Sequence, residues 1–210
     1  MEFPKLPDHL FPILSDQELE RVWTSRYLTG KSDLATRNRA MLGLMIDTGL
    51  RRGEVVALQL EDVDLRDHLL TVTGKGKKQR RVPFSTSVRV LLEEWFKIRG
   101  DEPGSVFWLQ AQGIRMVFRS IQNELGLARF YPHQMRHQSA TMLVRNHADV
   151  ATVQRILGHS DISTTLQYLS LSDEDLRNKH AAASPFEKLQ QQSAVVEMPA
   201  RRKRLSLKAT

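Results

Sequence analysis

The sequence predicts an α+β domain that is mainly α-helical and carries one small antiparallel sheet. Two observations lead there. Apolar residues recur at helical spacing in stretch after stretch, as at Val88, Leu91, Leu92, Trp95 and Phe96 or at Ile114, Val117, Phe118, Ile121 and Leu125. Only two short runs read as strands, Leu69 to Thr73 and Arg80 to Phe84, and the turn between them is Gly74-Lys75-Gly76-Lys77-Lys78-Gln79. The sheet is expected to have three strands, of which these two can be placed. At 210 residues the chain is long enough to bury a real core.

The elements follow in order. Residues 1–14 hold Pro4, Pro7 and Pro12 and read as an extended arm. Ser15-Asp16-Gln17-Glu18 is a capping box, and Leu19, Val22, Trp23 and Tyr27 follow at helical spacing. After a loop at Thr29-Gly30-Lys31-Ser32, a helix is expected from about Asp33 to Asp47, with Leu34, Met41, Leu44 and Met45 on its apolar side. Leu50 to Leu58 is a short helix opening with Arg51 and Arg52, where the helix dipole does not favour cations. Helices are expected over Ser85 to Arg99, from Ile114 to about Gly126, from Pro132 to about Asn146, and across Val150 to Leu157. Ser172-Asp173-Glu174-Asp175 would cap a short helix to about His180. An Ala/Ser/Pro hinge, a polar helix over Phe186 to Gln192 and a basic tail close the chain. The expected units are therefore residues 1–14, 15–180 and 181–210.

Composition narrows the function. There is no cysteine, so neither disulfides nor thiolate metal sites are expected. No secretory signal and no apolar run of membrane-spanning length is visible, which predicts a cytoplasmic protein with no membrane partner. The net charge is +7, and five of the basic residues (Arg201, Arg202, Lys203, Arg204 and Lys208) stand in the last ten positions. Without them the chain holds 26 basic and 24 acidic residues. Nucleic acid is the natural partner of such a tail, although charge alone fits a merely solvated tail equally well.

The densest chemistry lies between His133 and Tyr168. His133 and Arg136 are three apart and share one helix face. His159 follows Gly158, a residue that can end a helix, and Tyr168 lies nine residues further on. Two imidazoles, a guanidinium and a phenol suit a phosphodiester, supplying donors for its oxygens and a hydroxyl to attack phosphorus. Each has a plainer reading alone: a packed tyrosine, a helix-capping histidine, a salt-bridged arginine. His133 and His137 have the spacing of a metal pair, but no nearby carboxylate is placed to complete one, so no metal is expected. The Gly/Lys turn reads either as a solvated hairpin or as a flexible lysine finger that reaches a phosphate.

Three blocks, taken together and in order, resemble the catalytic domain of the tyrosine recombinases, the family of phage integrases and Xer recombinases. They are Thr48-Gly49-Leu50-Arg51-Arg52-Gly53-Glu54, the hairpin Gly74-Lys75-Gly76, and His133-Gln134-Met135-Arg136-His137 with Leu157-Gly158-His159-Ser160-Asp161 and Tyr168. The resemblance covers about residues 15 to 180. It implies a recombinase catalytic fold and cleavage of DNA through a 3′-phosphotyrosine with release of a 5′-hydroxyl. Tyr168 would be the nucleophile, and Arg51 and Arg136 would fork onto the phosphate oxygens. His159 would donate a further hydrogen bond, Lys75 would protonate the leaving oxygen, and His133 would assist proton transfer at the tyrosine. Glu54, one turn from Arg51, is expected to orient that arginine. DNA contacts are expected from Arg52, Lys77, Lys78, Arg80 and Arg81, with a solvated hairpin face as the alternative.

Such a site implies no metal and no other cofactor. The implied partner is double-stranded DNA, held by a homodimer on each site and a homotetramer in the synapse. Phe186 to Gln192 would dock on a neighbouring copy. The family also brings accessory DNA-bending proteins into view as partners. The sequence departs from the family in two places. Only about 14 residues precede the first helix, where the family usually has an N-terminal DNA-clamping domain, so the chain reads either as a minimal recombinase or as a fragment. Asn146-His147-Ala148 stands where the family usually has a glycine at a helix end, a difference expected to be structural only. Two rival functions keep part of this reading: a type IB topoisomerase that only relaxes DNA, and a DNA-binding regulator without catalysis.

Overall fold

In the computed structural model of the chain, the described residues are 13–74, 76, 78–158 and 184. The chain divides into two units, residues 1–169 and 170–210, and the elements below belong to the first. The helix expected after Ser172 lies outside the described residues. So does the region 181–210, Ser184 apart.

Helix starts follow local capping chemistry. Ser15 opens α1 (Asp16–Trp23): its Oγ accepts from the Glu18 amide at 3.2 Å, and Glu18 Oε2 accepts from the Ser15 amide at 2.9 Å. Ser25 opens a one-turn helix, α2 (Arg26–Thr29), which the apolar pattern does not reveal. Its position is set from afar, because Glu124 accepts from the Ser25 hydroxyl and from the Arg26 amide. Ser32 caps α3 (Asp33–Thr48), the central helix, buried from Ala40 through Met45 on every side. Leu34, expected on its apolar side, is 60% exposed. It stands in the first turn, before the helix enters the core, and borders an open cleft shared with Leu109 and Met116. After Gly49 comes α4 (Arg52–Ala57), with Arg51 as its N-cap.

The sheet has the order β1 (Val63–Asp64), β2 (Leu69–Thr73) and β3 (Gln79–Pro83), all antiparallel. Leu70 pairs with Val82 and Val72 with Arg80. Paired residues share a face, so Leu70, Val72 and Val82, all buried, put Arg80 on the inner side of the strand and Arg81 on the outer. Ser85 then caps α5 (Thr86–Arg99), and α6 (Ala111–Leu125) buries Ile114, Phe118 and Ile121. Pro132 occupies the first turn of α7 (Pro132–Arg145), whose residues Gln134 to Ala140 are all buried. His147, at the end of α7, takes φ +65°, the left-handed conformation that favours glycine. Asp149 caps α8 (Val150–Leu157), which ends on Gly158 at φ +65°. Of the expected N-terminal arm the described part is Ile13 and Leu14. Leu14 is buried, and its amide and carbonyl both bond the Gln138 side chain of α7.

Candidate active site

The N-termini of α4 and α7 and one face of α6 enclose a cleft of about 740 Å³. Arg51 and Arg52 enter from α4, His133 and Arg136 from α7, and Arg115, Arg119, Gln122 and Asn123 from α6. Among the described residues five arginines line it, and no aspartate or glutamate does. Such a surface suits a polyanion. The α6 side chains flank that helix's buried Ile114, Phe118 and Ile121, and Phe118 itself reaches the cleft. Their spacing of four, seven and eight residues is visible in the sequence, but only the fold turns them toward Arg51 and Arg136.

Arg136 is 4% exposed, and its guanidinium holds two main-chain ends together. Nη1 donates to the Gly49 carbonyl at 2.8 Å and Nη2 to the Leu157 carbonyl at 2.7 Å. It thereby links the end of α3 to the end of α8, directly before His159 in the sequence. Arg51, at the edge of the cleft, donates from Nη1 to Glu54 Oε1 at 3.0 Å, and its amide donates to Glu54 Oε2 at 2.8 Å. The expected orienting role of Glu54 thus has a geometric basis.

Glu54 is buried and receives more than Arg51. Arg80 forks onto it, Nη1 to Oε1 and Nη2 to Oε2, both at 2.9 Å. Two donors on each oxygen fill the acceptor capacity of the carboxylate. Burial by itself would push its pKa up. The Arg80 hydrogen bonds, the Arg51 amide and the two guanidinium charges outweigh that and hold it below the usual carboxylate range. Glu54 is therefore an ionised anchor and not a proton carrier.

Arg80 differs from the expectation of a DNA contact. Its side chain is 15% exposed and engaged by Glu54, because strand alternation turns it inward with Val82. Arg81 and Lys78 are exposed, as a DNA contact requires. Lys75, Lys77, His159 and Tyr168 lie outside the described residues.

His133 and His137 meet edge to face with ring centroids 4.4 Å apart. Among the described residues no third histidine, aspartate or glutamate joins them in a group that could hold a metal. Partial desolvation, then the Arg136 and Arg51 charges, lowers the His133 pKa and leaves it neutral at pH 7. Burial, then the charges of His133 and Arg136, pushes His137 down to about 4. The unfolded chain takes up a proton near pH 6.5 that folded His137 refuses until about 4. This contribution is therefore complete above pH 6.5 and is lost as pH falls toward 4, on the order of 3 kcal/mol in all. Urea unfolding at pH 7 and pH 5 should show a smaller loss for His137→Asn than for the wild type. Equal losses would assign the pH dependence to another group.

Residues 14–175 match the model of the phage integrase family. The chain is similar to the tyrosine recombinase XerC of Vibrio campbellii (strain ATCC BAA-1116), 36% identical over 163 residues that cover 72% of this chain and 52% of that protein. XerC of Escherichia coli O1:K1 / APEC is 33% identical over 193 residues, 87% of this chain and 63% of that protein. The chain spans about half the length of the first of these relatives. Among solved structures it is similar to XerA recombinase, 28% identical with a TM-score of 0.67 over 85% of this chain and 67% of that one. A XerH site-specific recombinase bound to its difH substrate in a pre-cleavage complex is 26% identical, with a TM-score of 0.65 over 89% of this chain and 56% of that one. The expected fold, mainly helical with a three-stranded antiparallel sheet, is that of these catalytic domains.

Proposed function

This chain belongs to the phage integrase family of tyrosine recombinases, and we propose that it is a site-specific recombinase that cuts and rejoins double-stranded DNA through a 3′-phosphotyrosine. The observation that carries the reading is the cleft in which Arg51, Arg52, Arg115, Arg119 and Arg136 converge with a neutral His133 and, among the described residues, no lining carboxylate. The Tyr168 oxygen bonds to phosphorus as the bond from phosphorus to the 5′-oxygen breaks. His133 is able to take the phenolic proton because it is neutral, and Lys75 gives a proton to the leaving oxygen. Arg51, Arg136 and His159 stabilise the charge on the non-bridging oxygens. The protein–DNA ester retains the bond energy, so rejoining by another 5′-hydroxyl needs no nucleotide cofactor, and the arginines do the work for which other phosphoryl-transfer enzymes use metal ions.

Arg52, Lys77, Lys78 and Arg81 contact the DNA backbone in this reading, and the exposed α6 residues Arg115 and Arg119 join them. A homodimer on each site and a homotetramer in the synapse complete the reaction, with accessory DNA-bending proteins as further partners. Among the described residues no helix is long and apolar enough to cross a membrane, which supports the cytoplasm as the place of action.

Covalent trapping tests the reading. Labelled nicked duplexes from the DNA flanking the gene are mixed with the protein in EDTA, quenched in SDS and run on a gel. A protein–DNA adduct confined to particular duplexes, and absent with Tyr168→Phe, is the expected result. An adduct on every duplex, with relaxation of any supercoiled plasmid, would favour a topoisomerase. Specific binding with no adduct would favour a regulator.

A further inference from the structure

Arg80 is a largely buried charged group that the proposed chemistry does not use. It stands on the inner face of β3, opposite Val72, and forks onto Glu54 with both Nη atoms at 2.9 Å. Its Nε donates to the Ile156 carbonyl in the last turn of α8 at 3.1 Å. Gly158 packs against the same guanidinium, so closely that a Cβ there would lie 2.8 Å from Nε and 3.0 Å from Cζ. One side chain thus joins the strand that leaves the lysine turn, the carboxylate beneath Arg51, and the helix end that precedes His159.

The charges give this junction a purpose. Arg51 offers Glu54 one guanidinium hydrogen bond and keeps 47% of its side chain exposed toward the cleft. Were Glu54 to face Arg51 alone, the carboxylate would neutralise that arginine and draw it away from a phosphate. With Arg80 as a second cation, the three groups together carry one net positive charge, and the unpaired share lies on the exposed member. We propose that Arg80 is a positioning residue for DNA cleavage and makes no DNA contact: it neutralises Glu54 so that the Arg51 charge faces the scissile phosphate, and it pins the end of α8 beside it. The proposal rests on the recombinase reading above.

The test separates binding from chemistry, using the full chain and the nicked duplex that yields the adduct. Arg80→Gln should slow adduct formation at saturating DNA, on the order of 100-fold, as misplacement of a catalytic group does. Its DNA affinity should stay within a few fold of wild type. Its salt dependence of binding should be unchanged, whereas loss of a phosphate contact would lower that slope by about 0.9. Glu54→Gln added to Arg80→Gln should recover part of the cleavage rate, because the uncompensated carboxylate is gone. Arg80→Lys keeps the charge that offsets Glu54 but loses the fork and the bond to Ile156, so its rate should fall less than that of Arg80→Gln, again at near wild-type affinity, and it serves the test should Arg80→Gln not fold. A reduced salt slope with normal cleavage at saturation would overturn the proposal. So would an Arg80→Lys rate as low as that of Arg80→Gln, or losses that simply multiply in the double variant. Absence of adduct from the wild type would instead overturn the recombinase reading, and this proposal with it.

Discussion

Arg136→Ala is expected to remove DNA cleavage and also to weaken the fold, the largest combined effect of any single change in this site. Two of its hydrogen bonds end on the carbonyls of Gly49 and Leu157, both buried against the guanidinium. Truncation leaves both acceptors without their charged donor and opens a cavity between α3, α7 and α8. Such losses together cost about 3–5 kcal/mol, since each orphaned buried group costs about 1–3. Thermal unfolding should fall by roughly 10 °C for a chain of this size. Adduct formation should fall about 1000-fold, as for removal of one preorganised donor from a site of developing negative charge. Arg136→Lys divides the two effects. A lysine reaches one carbonyl but cannot span both in a fork, so part of the stability returns while cleavage stays low. A wild-type melting temperature for Arg136→Ala would show that the two carbonyls do not depend on it.

Gly49→Ala is expected to destabilise the protein nearly as much without touching a charged group. Gly49 ends α3 at φ +64°, where any other residue carries strain of about 1 kcal/mol. An added Cβ would run into Leu157 Cδ2 of α8 and come within 3.1 Å of Ser139 Oγ on α7. Both neighbours are buried, so the clash adds to the strain, for about 2–4 kcal/mol in total. The Gly49 carbonyl that accepts from Arg136 would shift with it, so a slower cleavage rate should accompany the lower urea midpoint. A stability loss under 1 kcal/mol would mean that α8 moves aside freely, and the close packing of these three helices would then not be what holds Arg136.

Much of this was legible within windows of a few residues, because capping and periodicity act over one or two helical turns. Ser15, Ser32, Ser85 and Asp149 begin helices where their side chains accept from the amide three residues on. Gly126 and Gly158 end helices because they turn left-handed there. The hairpin from Leu69 to Pro83 and the spacing of His133 and Arg136 were equally local, and the order of the motifs was enough to point to the family. What pairs with what was not legible, since those partners lie far apart in the chain. The helix over Arg26–Thr29 depends on Glu124, about a hundred residues away. Leu34 has the periodicity of a core residue but lies where no other element covers it. The arginines of α6 look like any solvated helix face until the fold sets them beside Arg51. Arg80 shows the division most clearly. Alternation with Val82 already turns it inward, which sequence can say. That a buried carboxylate 26 residues earlier waits to receive it, and that the end of α8 closes over both, is decided by the tertiary structure, because only packing takes those groups out of water and makes their pairing obligatory.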